Sequence, residues 1–135
     1  LVGYAMGDRI TKKLVSQSLF RAVAGKCPVK GLIHHSDSGS QYCAYDYSNL
    51  LKQFGMIASM SRKGNCYDNA PMESFWGTLK SELVHHCRYK SRQEAIQDIT
   101  EYIEVFYNRQ RRQKRLGYLS PAVYEKQFYK KRIAA

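Results

Sequence analysis

The sequence predicts an α/β domain that continues into a basic, helical extension. Short apolar segments alternate with segments of helical period in the first part of the chain, which is typical of helices packed on a small mixed sheet. No strand pattern follows residue 88, and residues 88–135 contain 12 basic and 5 acidic residues. No internal repeat or low-complexity linker divides the chain further. We therefore predict a core over residues 1–87 and a helical extension packed on it over residues 88–135.

The first predicted elements are a strand and a helix. Residues 1–6 read LVGYAM, and the alternation of their larger apolar side chains predicts an extended strand. Thr11 is a favourable N-cap for the next helix, because its hydroxyl can accept a free backbone N–H of the first turn. Gly25 and Pro28 end that helix. Its apolar face is formed by Leu14, Val15, Leu19, Ala22 and Val23.

A strand, a helix and a further strand follow. The apolar run of residues 31–35 predicts a strand that leads to Asp37. Residues 45–54 predict a helix that Gly55 ends, and residues 56–60 predict the next strand. The polar, basic stretch SRKGNCYDN comes next and predicts a loop.

Helices account for the rest of the chain. Asp68 or Asn69 can cap a helix in which Pro71 suits the first turn. The core residues of this helix are expected to be Phe75, Trp76, Leu79 and Leu83. Ser91 begins another helix, with an expected apolar stripe of Ala95, Ile96, Ile99, Tyr102, Ile103 and Phe106. A basic run over residues 108–116 precedes a short final helix from Pro121 to Phe128.

The charge of the chain points to a polyanionic partner. Its 135 residues contain 22 Lys and Arg and 11 Asp and Glu, a net charge of +11. Such an excess favours DNA, RNA or an acidic surface, although a basic protein without such a partner is the alternative. No segment has the length and apolarity of a membrane span and no signal peptide opens the chain, so we expect a cytoplasmic protein without a membrane partner.

The cysteines are expected to be reduced thiols. They are widely spaced and form no C-x-x-C pair, at Cys27, Cys43, Cys66 and Cys87. A zinc site would combine them with histidines, but the sequence contains no close ligand pair of the zinc-finger type. The histidines concerned are His34, His35, His85 and His86.

Asp37 and Glu73 are the candidate catalytic residues. Thirty-five residues separate them, and Lys80 follows Glu73 by seven, two helical turns along the same face. Asp37 ends a predicted strand, where α/β folds place their sites, but an Asp there can equally cap the following turn. Glu73 lies in a first helical turn, where the helix dipole favours a carboxylate without any catalytic role. Two carboxylates from distant parts of a chain can also hold a hard divalent cation.

Three motifs in order give the sequence a specific resemblance. They read HHSDSGSQY, SMSRKGNCYDNAPMESFWGTLKSELVHH and YNRQRRQKRLGYLSPAVYE. With them the chain resembles, over essentially its whole length, the integrase-core region of bacterial insertion-sequence transposases. The resemblance is strongest to the two-reading-frame group, which has a retroviral-integrase-like catalytic domain. Asp37, Glu73 and Lys80 match the second half of that family's Asp, Asp, Glu and Lys/Arg signature, spacing included.

The resemblance implies a ribonuclease-H-like fold that cleaves DNA at the ends of an insertion sequence and joins them to target DNA. Asp37 and Glu73 would be the catalytic residues and would hold two Mg²⁺ or Mn²⁺ ions together with a first Asp. Lys80 would contact a DNA phosphate near the site. The alternative is that Lys80 is an ordinary exposed helical lysine without such a role. His35 would support Asp37 or lie buried in its strand.

The resemblance also implies two groups of DNA contacts. The loop before the catalytic helix can close over a DNA end, or can simply be solvated, and its candidate residues are Arg62, Lys63 and Asn65. The basic run would contact phosphates without reading sequence, through Arg109, Arg111, Arg112, Lys114 and Arg115. Related sequences often carry a His where Gln113 stands, so the role of that position is open.

The position of the first Asp sets a further expectation. In the family this residue lies on a strand upstream of the segment that matches residues 1–6, and Asp8 matches the end of the third strand instead. We therefore expect a core that is truncated at its N-terminus, lacks the first strands and is inactive alone. Unpaired strand edges would then favour association with another chain, such as a homo-oligomer.

Two other functions fit the same residues. One is a non-enzymatic DNA-binding or assembly fragment of a truncated transposase. The other is a structure-selective nuclease on the same fold, which would cleave DNA without joining it.

Overall fold

The chain separates into two compact units. A computed structural model describes residues 1–62 and 70–133, with side chains to residue 130. The N-terminal unit comprises residues 2–80, and the C-terminal unit comprises residues 81–135 together with Leu1. The domain boundary predicted between residues 87 and 88 rests on composition and on the family resemblance, and it stays a prediction.

The N-terminal unit begins with helix α1 (Lys12–Lys26). Its N-cap is Thr11, whose hydroxyl accepts the backbone N–H of Leu14 at 3.1 Å. It ends at Cys27, which adopts the left-handed conformation with φ of 43°. The predicted start of this helix is thus confirmed, whereas the helix continues through Gly25 and ends at Cys27, one residue before Pro28.

A strand–helix–strand unit follows, with strand β1 (Ile33–Ser36), helix α2 (Tyr45–Gln53) and strand β2 (Ile57–Met60). The two strands pair in parallel, so that His35 lies opposite Ser59 and Ser36 lies opposite Met60. Parallel neighbours need a crossover connection, and α2 provides it. Gly55 has φ of 67° just after α2, which confirms the predicted end of that helix.

The core of this unit lies between the two helices and the start of β2. It is formed by Val15, Leu19, Tyr47, Leu51 and Met56. Their burial confirms the helical spacing that placed the first two on the apolar face of α1.

Two predictions about the sheet are wrong. Residues 1–6 form no strand, and within the described residues the sheet is a parallel pair and not a mixed sheet. The first segment instead lies along α1: Arg21 Nη1 donates to the carbonyl of Tyr4 at 2.9 Å. A Cβ on Gly3 would lie 2.6 Å from the carbonyl of Ser18. Alternating side chains indicate extended backbone, but a strand also needs a hydrogen-bonding partner.

Helix α3 (Ala70–Glu82) follows β2 in the chain. Phe75 and Leu79 are buried, as predicted, but Trp76 is 46% exposed and is not a core residue. Residues four apart share a helical face, whereas Trp76 is rotated by about 100° from its neighbour Phe75. The predicted caps of α3, Asp68 and Asn69, lie outside the described residues.

The C-terminal unit is helical. Its helix α4 (Arg92–Glu101) begins at Ser91, whose hydroxyl accepts the N–H of Glu94 at 3.2 Å, and it runs directly into a π-helical segment, Tyr102–Gln110. Helix α5 (Pro121–Ile133) packs against that segment. None of the helices within residues 1–62 and 70–133 is both long and apolar enough to span a membrane.

The predicted apolar stripe is buried only in part, and the π-helical winding accounts for the change from Tyr102 onward. Tyr102 and Ile103 are buried, but Ile96 is 44% and Phe106 is 41% exposed, so the prediction was wrong for these two. Tyr107 is buried instead. A π-helix bonds each N–H to the carbonyl five residues earlier, so its wider turn shifts the buried face away from the α-helical spacing.

Candidate functional site

Asp37 lies directly after β1, at the carboxyl end of the parallel strand pair, and is exposed. Its Oδ1 accepts the backbone N–H of Gly39 at 2.8 Å. A Cβ on residue 39 would approach that same oxygen to 2.8 Å, so the turn favours glycine for close approach. The turn-capping interpretation of Asp37 is therefore observed, and it uses one carboxylate oxygen in an orientation that the backbone fixes.

Ser61, the residue directly after β2, anchors this turn. It is 8% exposed, its backbone N–H donates to the carbonyl of Ser36 at 2.8 Å, and its hydroxyl donates to the same carbonyl at 3.2 Å. In return, its carbonyl accepts the hydroxyl of Ser38 at 2.9 Å. The residues on both sides of Asp37 are thus held by one buried serine.

His35 extends the same network across the sheet. Its Nδ1 lies 2.9 Å from the hydroxyl of Ser59, and its Nε2 lies 3.1 Å from the hydroxyl of Ser61. Both ring nitrogens are therefore engaged by serines of or next to β2. This geometry suits a residue that positions Asp37 through Ser61.

His34 points to the other face of the strand, towards the core. Its ring is edge-on to Tyr47, whose hydroxyl lies 3.1 Å from Nε2. Its Nδ1 is buried and has no hydrogen-bond partner among the described residues. Burial lowers the pKa of His34, its own backbone opposes this shift, and the nearby His35 adds a smaller lowering. Burial, with a smaller effect of Tyr42, raises the pKa of Tyr47 to about 12.

Glu73 and Lys80 are both exposed residues of α3, with Glu73 in its first turn and Lys80 in its last. The buried side chains of Phe75 and Leu79 lie between them in sequence and fix the face that the helix turns inward. Within the parts of the chain that the structure describes, no group of three or more His, Cys, Asp and Glu could hold a metal ion.

Apart from Lys80, the predicted DNA-contacting residues lie in the loop before α3 and in the basic run. Arg62 is exposed directly after Ser61, whereas Lys63 and Asn65 lie outside the described residues. In the C-terminal unit, four cations of the basic run are exposed: Arg109, Arg112, Lys114 and Arg115. The fifth, Arg111, is engaged within the protein.

Arg111 forms a forked ion pair with Glu82, the last residue of α3. Its Nε donates to both carboxylate oxygens at 2.9 Å, and its Nη2 donates to Oε1 at 2.6 Å. Tyr102 donates its hydroxyl to Oε2 at 2.6 Å, and the guanidinium lies 5.8 Å from the centre of the Tyr107 ring. The hydrogen bonds from Arg111, and then that from Tyr102, lower the pKa of Glu82, although burial opposes them.

The contacts of Glu82 with Arg111 and Tyr102 were not predicted from the sequence, although one signal was present. A carboxylate in the last turn of a helix lies at the negative end of the helix dipole, where it is unfavourable without a cation. Glu82 occupies such a position. An acidic residue there indicates a cationic partner elsewhere in the chain, and the basic run contains five candidates.

Comparison with known proteins gives a consistent result. The integrase core domain family matches residues 1–66 and, in a second part, residues 73–128. The insertion element IS600 uncharacterized 31 kDa protein of Shigella sonnei is 60% identical over 129 residues, which is 96% of this chain and 47% of that protein.

Two relatives are named transposases. The transposase for insertion sequence element IS904 of Lactococcus lactis is 47% identical over 126 residues, 93% of this chain and 50% of that protein. The transposase InsF for insertion sequence IS3A of Escherichia coli is 40% identical over 125 residues, 93% of this chain and 43% of that protein. The chain thus spans about half the length of the curated relatives it matches.

Proposed function

Because the chain belongs to the integrase-core family of insertion-sequence transposases, we propose that it is the part of a transposase that cleaves DNA at the ends of an insertion sequence and transfers the strands to target DNA. The observation that carries this proposal is the position of Asp37 at the carboxyl end of β1, beside the parallel strand that leads to α3 and Glu73. Ligand and reaction sites of α/β proteins lie at this edge of the sheet.

Asp37 and Glu73 are the residues that would hold the divalent ions this family uses, Mg²⁺ or Mn²⁺. Carboxylate oxygens are the ligands that a hard divalent cation prefers. Two carboxylates are fewer than such a site needs, and we expect the transposase to supply a third. Two bound ions would supply activation of the attacking oxygen and stabilisation of the leaving oxygen at the phosphodiester.

The surrounding residues hold the first of these carboxylates in place. Ser61 binds the backbone on one side of Asp37 and the Ser38 hydroxyl on the other, and His35 fixes the Ser61 hydroxyl. Fixed ligand orientation matters because a small displacement of a reacting group costs rate steeply. We therefore assign His35 and Ser61 as positioning residues.

DNA is the proposed partner of the exposed cations. Lys80 would contact a phosphate near Glu73, and the loop that carries Arg62, Lys63 and Asn65 would contact a DNA end. The basic run would bind phosphates through Arg109, Arg112, Lys114 and Arg115, while Arg111 is already paired with Glu82. Such contacts give affinity without sequence preference.

Association between copies is proposed as well. Ile33 and Ile57 lie side by side in the strand register and are 63% and 56% exposed. Covering this apolar pair would favour contact with a further strand or subunit.

The test uses the protein encoded by the complete reading frame, a terminal-repeat duplex, a target plasmid and Mg²⁺. Cleavage at the repeat followed by a joined product is expected, and Glu73→Gln should abolish both while DNA binding persists. Retained cleavage in Glu73→Gln would remove Glu73 from the site. Cleavage without any joined product would instead indicate a nuclease.

DNA binding without catalysis is the second candidate, and the exposed cations of the C-terminal unit favour it. It predicts binding of the complete protein to terminal-repeat DNA with no Mg²⁺-dependent product at any time of incubation.

A further inference from the structure

The segment that ends the basic run displays an aromatic side chain on a closed turn. Tyr118 is 64% exposed and adopts the left-handed conformation with φ of 62°. Gly117, just before it, is left-handed too, with φ of 65°. Glycine tolerates this conformation, but a residue with a Cβ is strained in it, so Tyr118 is held there against its own backbone preference.

Backbone hydrogen bonds close the turn. Gln113 N–H donates to the carbonyl of Leu119 at 3.1 Å, and Tyr118 N–H donates to the carbonyl of Gln113 at 2.9 Å. Gln113 and Ser120, which flank the turn, are 6% and 5% exposed. The ends of the turn are thus buried while its tip projects the ring. A strained backbone conformation that the surrounding hydrogen bonds and packing keep in place is often found at functional positions.

The residues that precede the ring in sequence are cationic. Lys114 and Arg115 belong to the same turn, Arg112 precedes it, and all three are exposed. An exposed aromatic ring within a few residues of several exposed cations has the chemistry of a single-strand nucleic-acid contact, in which cations track the phosphates and the ring stacks on a base.

We propose that Tyr118 stacks on an unpaired base of bound DNA, next to the phosphates that Arg112, Lys114 and Arg115 contact. This inference rests on the proposed function, because it takes DNA as the partner. The contact adds a non-ionic contribution to single-strand affinity, whereas the flanking cations supply the salt-dependent part. The rigid turn keeps the ring presented before DNA arrives, which lowers the entropy lost on binding.

Binding of a fluorescein-labelled single-stranded oligonucleotide at several salt concentrations tests the proposal. Tyr118→Gly should weaken binding roughly tenfold at every salt concentration, with an unchanged slope of log K against log salt. Tyr118→Phe, which keeps the ring, should bind as the natural protein does. The base analogue 2-aminopurine loses fluorescence when an aromatic ring stacks on it. Its fluorescence should be quenched less in the complex with Tyr118→Gly than in the complex with the natural protein.

Controls separate stacking from folding. Glycine relieves the strained conformation, so Tyr118→Gly should unfold at an equal or higher temperature than the natural protein. Tyr129→Ala removes a tyrosine of similar exposure, 53%, from α5 of the same unit and should leave binding unchanged. Undiminished affinity of Tyr118→Gly, or an equal loss in Tyr129→Ala, would overturn the inference and leave the proposed function intact. Absence of any salt-dependent binding by the natural protein would contradict the proposed function itself.

Discussion

Glu82 and Arg111 join two distant parts of the C-terminal unit by a forked ion pair across 29 positions of sequence. Glu82 ends α3, and Arg111 caps the π-helical segment. Their side chains are 33% and 27% exposed, so solvent screens the pair only in part. The two parallel hydrogen bonds between a guanidinium and a carboxylate are directional. The pair therefore fixes the relative orientation of the two side chains and also lowers the free energy of the folded state.

The pair should be visible in the free energy of unfolding. A double-mutant cycle of Glu82→Gln and Arg111→Gln is expected to give a coupling energy of about 1 kcal/mol. The lowered pKa of Glu82 means that this stabilisation is present above the ordinary carboxyl pKa of 4.5 and is lost as pH falls below it. Urea unfolding at a series of pH values measures both effects. If the two single substitutions change the free energy of unfolding additively at neutral pH, the ion pair contributes nothing to stability.

The same pair predicts different roles for neighbouring arginines. Arg112→Gln removes an exposed cation and should reduce the slope of log K against log salt for DNA by roughly one, without changing thermal stability. Arg111→Gln should lower the unfolding temperature and change the slope less, because its charge is already paired with Glu82. Anisotropy titrations and thermal melts of both variants measure these quantities. An equal loss of slope with unchanged stability in Arg111→Gln would make Arg111 a phosphate contact after all.

Gly39→Ala should separate activity from folding. The added Cβ would lie 2.8 Å from Asp37 Oδ1 and 3.2 Å from Gln41 Oε1. Both are ends of movable side chains, so the fold can adjust, but the Asp37 carboxylate must move. We expect a roughly 10- to 100-fold loss of cleavage rate in the protein encoded by the complete reading frame. Gly25→Ala, where a Cβ meets open space, is the matched control. Full cleavage activity in Gly39→Ala would show that this orientation of Asp37 is not the reactive one.

His34 should make the stability of the N-terminal unit depend on pH. Its pKa in the folded protein is lowered from 6.5 by burial, so its neutral form stabilises the fold above that value. This contribution is lost as pH falls from 6.5 through the lowered pKa, because the unfolded chain then takes up a proton first. Urea unfolding across this window should show a decline that His34→Gln reduces. His85→Gln alters an exposed histidine and should leave the decline unchanged; a flat profile in the natural protein would contradict the prediction.

Local signals explain what could be predicted from the sequence. Thr11, Gly55 and Ser91 mark element ends through hydrogen bonds or backbone angles that depend on a few adjacent residues. The turn at Asp37 was predicted as one of two alternatives, and it is present. Whether Asp37 also binds a metal ion is a separate question, which the activity of the variants answers.

The failures of prediction involve interactions that are distant in sequence. The apolar character of Trp76 suggested burial, but its exposure depends on which face of α3 is covered. The start of the π-helical segment at Tyr102 changes the period midway along a continuous helix, and a constant-period reading places Phe106 inside for that reason. The partner of Arg111 lies too far away in sequence for spacing rules to identify it.

The nine-residue π-helical segment, Tyr102–Gln110, also limits how the chain can change in length. Removing one residue from it would favour ordinary α-helical winding and change the rotation of every later residue about the helix axis. The Arg111 guanidinium would then face away from Glu82, and the basic run would turn with it. Single-residue deletions here should therefore be tolerated less well than most substitutions, so this helix is constrained in residue number as much as in residue type.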